Sequence, residues 1–223
     1  MRSYAQFCPI ARALDVIGER WALLIVRELL IHPARFTDLR RGLPGIASNL
    51  LTERLRTLEE AVIVERTELP PPAASAVYQL TERGFALRHV LREVARWGAP
   101  LLDERPNDDA VDSHWLVRFA TMAFRDVPTA ELGPLSASIR VGPSAISLFV
   151  AANGVSISAQ PAANPDVVVT ADAEHAVALL TGAISPANAR AQAAARFDGP
   201  GGAVAQLDAL LARIGAPPTP NPS

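Results

Sequence analysis

Apolar positions along the first hundred residues recur with a helical period, cut at short intervals by Gly and Pro. Residues 9–18 predict a short helix with Pro9 at its start and Gly18 at its end, where a missing N–H and a missing Cβ do least harm. Arg20–Leu30 is a second, strongly apolar helix that stops before Pro33. Phe36–Arg41 predicts a short third helix, with Thr37 as the expected N-cap. A turn follows at Gly42-Leu43-Pro44-Gly45, then a fourth helix from about Ala47 to Ala61. The phase of this helix is informative. Leu51, Leu55 and Leu58 fall on one stripe and face the core, which leaves Asn49, Thr52, Glu53 and Arg56 pointing outward and Ser48 at the N-terminal end.

Strict alternation then replaces the helical period. Ile63–Glu68 and Ala76–Thr81 predict two strands joined by the proline-rich loop Leu69–Ser75. From Thr81 a long helix runs through Leu87, Leu91, Val94 and Trp97. Its apolar face is longer than a small domain needs, which predicts a partner helix and hence a dimer. A short helix, a tight turn, a polar-faced helix and a hairpin in this order make a winged helix-turn-helix. The N-terminus of the outer helix can meet a phosphate, and Asn and Arg can read base edges in a major groove.

Beyond Pro106 the pattern changes again. Asp112-Ser113 caps a predicted helix, His114–Phe124; strands follow at Ser136–Val141, Ala145–Ala151, Gly154–Gln160 and Asp166–Thr170. Ile146, Leu148 and Val150 share one face, and Asn153-Gly154 signals a hairpin. Asp172 is expected to cap a helix, Ala173–Thr181, that ends at Gly182; a further helix follows Pro186, and Ala203–Ile214 is a final amphipathic helix. Gly199-Pro200-Gly201-Gly202 reads as a turn. The expected fold class is therefore a mainly α N-terminal winged helix-turn-helix domain plus an α+β C-terminal domain with an antiparallel sheet. The expected division is 1–104 for the DNA-binding and dimerisation domain, 105–112 for a linker, 113–214 for the α+β domain and 215–223 for a disordered tail.

Composition narrows the function classes. The 223 residues carry 21 basic side chains, all Arg, against 23 acidic ones, a net charge of −2. Bulk charge therefore cannot coat DNA, but a local patch can bind it. Residues 1–106 sum to +2 and residues 107–223 to −4. One cysteine, Cys8, excludes a disulfide framework and a multi-cysteine metal site. The four His show no metal-ligand spacing, and no nucleophile–base pair, paired carboxylates or phosphate-binding glycine loop stands out. No cofactor, no metal and no enzymatic activity are expected. The absence of a long apolar run and of a leader-like start predicts a cytoplasmic protein away from membranes.

The residues also carry a resemblance. Cys8-Pro9, Ala13–Gly18, Arg20-Trp21, Arg27-Glu28-Leu29, Arg35–Leu39, Leu51–Leu55, Tyr78–Gly84 and Trp97-Gly98 resemble the HxlR family of bacterial transcription regulators over about residues 7–98. The resemblance implies a homodimeric winged helix that binds a palindromic operator in double-stranded DNA as a repressor or an activator, with a repressor the expected case here. It places Arg35, Ser48, Asn49, Thr52 and Arg56 at the DNA, makes Arg66 and the loop up to Ser75 the wing, and puts Cys8 at a position that some relatives use to sense oxidants or electrophiles. Two positions depart from the family: Val62 stands where a Gly usually closes the fourth helix, and Ala73–Ala76 replaces a basic wing residue. Val62 in a left-handed turn should be strained.

Residues 113–214 are similar to sterol-carrier-protein-like domains, on Pro165–Asp172, Leu179–Gly182 and the final helix. That resemblance implies a cavity for a hydrophobic small molecule, with Trp115, Phe119, Met122, Phe149 and Phe197 as candidate ligand-binding residues. The competing expectation is a carrier of lipids or hydrophobic metabolites whose first domain serves only dimerisation.

Overall fold

The computed structural model describes residues 3–68, 75–102, 113–125 and 127–214, with the side chains of residues 113 and 114 left aside. The expected linker and tail, Asp112 and wing residues 69–74 lie outside the described residues. The chain divides into two compact units, Met1–Leu91 and Arg92–Ser223.

In the first unit the helices are α1 (Pro9–Ile17), α2 (Ala22–Leu29), α3 (Phe36–Gly42) and α4 (Ser48–Glu60). The hairpin is β1 (Val64–Glu68) with β2 (Ala76–Leu80), and α5 (Glu82–Gly98) follows, its residues from Arg92 on belonging to the second unit. Ile25, Val26, Leu29, Leu39, Leu51, Leu55, Leu58, Ile63 and Val77 are buried together as its core. Ala34 pairs with Tyr78 through both backbone bonds, so the segment before α3 adds a third short strand position to the hairpin. The N-cap of α3 is Arg35, without a side-chain bond, and not Thr37, which lies inside the helix. Thr81 caps α5: its hydroxyl accepts from Gly84 N–H at 3.1 Å and donates to Val62 C=O at 2.7 Å. Gly84 lies so close to Ile63 that a Cβ there would come within 2.1 Å of its carbonyl oxygen.

The end of α4 settles the question raised by Val62. Its φ is +55°, in the left-handed region. Val62 N–H bonds Glu59 C=O and Ile63 N–H bonds Leu58 C=O, both at 2.9 Å, the paired closure of a Schellman motif. The same closure recurs at Gly182 and at Ala193, with φ of +70° and +55°.

The second unit contains α6 (Ser113–Phe124), β3 (Leu135–Val141), β4 (Ser144–Ala151), β5 (Gly154–Ser158), β6 (Val167–Ala171), α7 (Ala173–Thr181), α8 (Pro186–Ala191), β7 (Ala195–Asp198) and α9 (Gly201–Ile214). The strand order is β5-β4-β3-β6-β7. The expected antiparallel sheet is corrected to a mixed one: β3 and β6 run parallel, with Ala137 opposite Val167 and Arg140 opposite Thr170. β3–β4–β5 is an antiparallel meander, so the chain leaves β5 at one edge and crosses β4 and β3 to insert β6 on the far side. Ala162 N–H bonds Ser147 Oγ at 2.8 Å along that crossing, which explains why Ser138 and Ser147 are buried on a face without helices. Ala137, Ile139, Ile146, Leu148, Val167 and Val169 face the other way, into a core shared with Leu116, Ala120, Leu179, Leu207 and Leu210 of the helices.

Several local expectations hold and others shift. Asp172 caps α7 by accepting from His175 N–H, and Gly182 closes it. Strand β7 adds to the expected elements, and Gly201 and Gly202 open α9 instead of lying in a turn. Gly154 pairs with Ala151 at the start of β5, so the hairpin turn is Ala152-Asn153. Arg96 donates to the C=O of Thr181 and of Ile214, near the C-terminal ends of α7 and α9, where cations are favoured.

Candidate nucleic-acid interface

Helix α4 presents the face that its leucine phase predicts. Leu51, Leu55 and Leu58 are fully buried, and Ser48, Asn49, Thr52, Glu53 and Arg56 are exposed on the opposite side. Ala47 caps this helix without a side-chain bond, so its first-turn N–H groups are not satisfied by a capping side chain. Thr52 Oγ1 donates back to Ser48 C=O at 3.0 Å, which fixes its rotamer. Arg56 is 73% exposed and meets Glu60 at 3.7 Å one turn later. A pair this open is weak and can be exchanged for a phosphate.

One further side chain joins this face without a signal in the sequence. Arg40, on α3, donates through Nη1 to Ser48 Oγ at 3.2 Å. It places a guanidinium across the turn at the start of α4, beside Ser48. No local spacing announces it, because eight residues and a turn separate the two partners.

The remaining expected contacts are spread more widely. Arg35 is exposed immediately before α3, and Arg66 is exposed on β1 opposite Tyr78. Ser75 is half-buried and its Oγ is shielded from solvent, so its hydroxyl is not presented as the other positions are. Cys8 is half-buried at the N-cap of α1.

The apolar residues expected to line a ligand cavity do not converge. Trp115, Phe119 and Met122 follow each other at i, i+4 and i+7 on α6, each half-buried beside the buried stripe Leu116, Ala120 and Ala123. Phe149 instead lies on the sheet face opposite the helices, as its position between Leu148 and Val150 dictates. Phe197 is on β7 beneath the Arg190 guanidinium, 4.6 Å from its ring centre, and Arg190 is itself held by both carboxylate oxygens of Asp208.

Two apolar stripes remain open. One is Ile10 and Leu14 along α1, preceded by the wholly exposed Phe7; the other is Val90, Val94 and Trp97 along α5, continued by Leu101, with Trp97 75% exposed. Among the described residues no helix is long and apolar enough to cross a membrane, and no group of three or more His, Cys, Asp or Glu could hold a metal ion.

Comparison with known proteins adds to this geometry. A family model described as HxlR-like helix-turn-helix matches residues 16–106. The HTH-type transcriptional regulator YvaP of Bacillus subtilis is 34% identical over 100 residues, 44% of this chain and 93% of that protein. The HTH-type transcriptional regulator YodB of the same organism is 40% identical over 91 residues, 40% of this chain and 81% of that protein. The solved structure of the reduced form of YodB matches with 35% identity and a TM-score of 0.40, covering 45% of this chain and all of that one.

Proposed function

This chain belongs to the HxlR-like helix-turn-helix family, and from that premise we propose that it is a DNA-binding transcriptional regulator, not an enzyme, that acts as a homodimeric repressor on a palindromic operator. The observation that carries the reading is the outer face of α4: Ser48, Asn49, Thr52 and Arg56 exposed over a fully buried leucine stripe, with Arg40 anchored to Ser48. In this reading Asn49 and Arg56 reach base edges, while Arg40, Arg35, Arg66 and the uncapped N–H groups of α4 hold phosphates. The open stripes of α1 and α5 are the surface that a second copy covers. Two such copies would set their recognition helices about 34 Å apart.

The C-terminal unit is, in the same reading, the sensor. Its sterol-carrier-like sequence pattern and the half-buried stripe Trp115, Phe119 and Met122 on α6 support a hydrophobic small-molecule effector. Ligand and operator would then weaken each other reciprocally.

A mobility shift on the DNA upstream of the chain's own gene tests the regulator. Wild type should bind with steep salt dependence. Arg56→Ala and Arg40→Ala should each lower affinity roughly tenfold or more. Equal affinity of both variants and wild type would remove α4 from the interface and the reading with it.

A further inference from the structure

On the C-terminal sheet, the face turned away from the helices carries a row of donors that packing does not use. Arg140 on β3 stands opposite Thr170 on β6, and Thr170 opposite Arg196 on β7. All three are exposed. With strands about 4.8 Å apart, the two guanidinium groups rise from backbones separated by about 10 Å, on either side of one hydroxyl. They frame an open concavity of about 440 Å³ that Val168 and Asp198 complete.

The other arginines of this unit's strands and helices α6 to α9 are engaged. Arg190 is held by Asp208, Arg213 by Pro128 C=O and Glu131, and Arg118 and Arg125 have partners of their own. Arg140 has no hydrogen-bond or ion-pair partner among the described residues, and the hydroxyl of Thr170 has none either. Arg196 gives its Nε to both oxygens of Asp198 at 2.8 Å. That contact orients the guanidinium edge-on and leaves both Nη groups open. The row therefore offers two forks and a hydroxyl, with one carboxylate already balanced by Arg196.

We propose that this row binds a tetrahedral oxyanion: a phosphate group, either free or carried by a small metabolite. Arg forks match phosphate oxygens in pairs. Donors converging from three adjacent strands suit an ion whose oxygens do not lie in one plane. The surroundings argue against the backbone of DNA as the occupant, because the described residues 113–125 and 127–214 hold six Arg against six Asp and Glu. An extended polyanion meets no net positive charge beyond the row. A small dianion meets only its immediate neighbours, since screening limits the field to about 8–10 Å in ordinary salt.

The test is isothermal titration of the full chain with inorganic phosphate and with glycerol phosphate, against chloride and acetate at matched ionic strength. Saturable binding is expected for the phosphates and not for chloride. Arg140→Gln combined with Arg196→Gln should weaken phosphate binding at least tenfold, and Arg140→Lys, which keeps the charge and loses the fork, should fall between. Both are surface changes, and an unaltered melting temperature without ligand confirms that the fold is retained. Tighter binding of the ester assigns the site to a metabolite, and equal or tighter binding of the inorganic ion assigns it to free phosphate. The proposal is overturned if chloride matches phosphate, or if the double variant binds phosphate as wild type does. It is also overturned if that variant loses affinity for operator DNA while its phosphate binding is unchanged, which would give the row to the nucleic acid.

Discussion

Val62 closes α4 at φ +55°, a region where a Cβ crowds the following carbonyl and a β-branched side chain crowds it most. Non-glycine residues held there are strained by about 1–3 kcal/mol, with Val near the upper end. Replacing it with Gly removes that strain. Against the gain stands the greater freedom of Gly in the unfolded chain, about 0.4–1 kcal/mol. The side chain is 60% exposed, so lost packing subtracts at most about another 1 kcal/mol. The balance for Val62→Gly is a stabilisation of about 1 kcal/mol, which in a unit of this size raises its melting midpoint by roughly 4–8 °C. Differential scanning calorimetry of the full chain reads it directly. Ala193 supplies an internal comparison, because it occupies the same position of the same motif at the end of α8 with the same φ of +55°. Ala lacks the β-branch and is strained by only about 1–2 kcal/mol there. Ala193→Gly should therefore gain less than Val62→Gly. A midpoint for Val62→Gly at or below that of wild type, or a larger gain at Ala193, would refute the strain argument.

Three further outcomes are expected. Gly84→Ala should destabilise the first unit by about 1–3 kcal/mol, since the added Cβ meets a backbone carbonyl at 2.1 Å that cannot swing aside; denaturant unfolding measures it. Trp97→Glu should shift the chain toward monomer in sedimentation velocity without lowering helix content, because the ring is 75% exposed and lies on the surface proposed above for a second copy. In acid, the second unit should lose stability. Asp172 is partly desolvated, which works against ionisation, but its bonds from His175 outweigh this and hold its carboxyl below the usual 3.8. Asp166 is held below 3.8 by the hydroxyl and N–H of Ser136. Both groups therefore stabilise the fold above the unfolded carboxylate range and lose that contribution as pH falls below about 4 through their folded values. Asp166→Asn with Asp172→Asn should flatten the decline seen by circular dichroism.

The features legible in the sequence are those with local signals. The leucine phase of α4 dictates which side chains point outward, and Asp172 with Gly182 marks both ends of α7 by residue type alone. What escapes depends on partners distant in sequence. Alternation in β3 and β6 tells which residues face the core, but not whether the two strands run parallel. β7 is only four residues long, Ala195–Asp198, too short for a period to declare itself, and it owes its existence to the edge that β6 offers. Arg40 reaches Ser48 across a turn, a contact fixed by how α3 and α4 pack. Phe149 shows the opposite failing: the alternation that buries Leu148 and Val150 already puts it on the far face, and its aromatic character alone suggests a cavity.

The crossing from β5 to β6 sets an order of assembly. β3, β4 and β5 can zip together through tight turns as soon as they leave the ribosome, whereas β6 must close a loop of thirty residues between Ala137 and Val167 before it gains a single ladder bond. Until then β3, which ends as the middle strand, has one naked edge flanked by Ala137, Ile139 and Val141. Such an edge is a template for another nascent chain. Arg140 is the charge on that strand, and a lone cation on an otherwise apolar and small-residue segment makes edge-to-edge stacking of copies unfavourable. The residue that frames the finished sheet's outer concavity thus also acts as a gatekeeper while the sheet is half made.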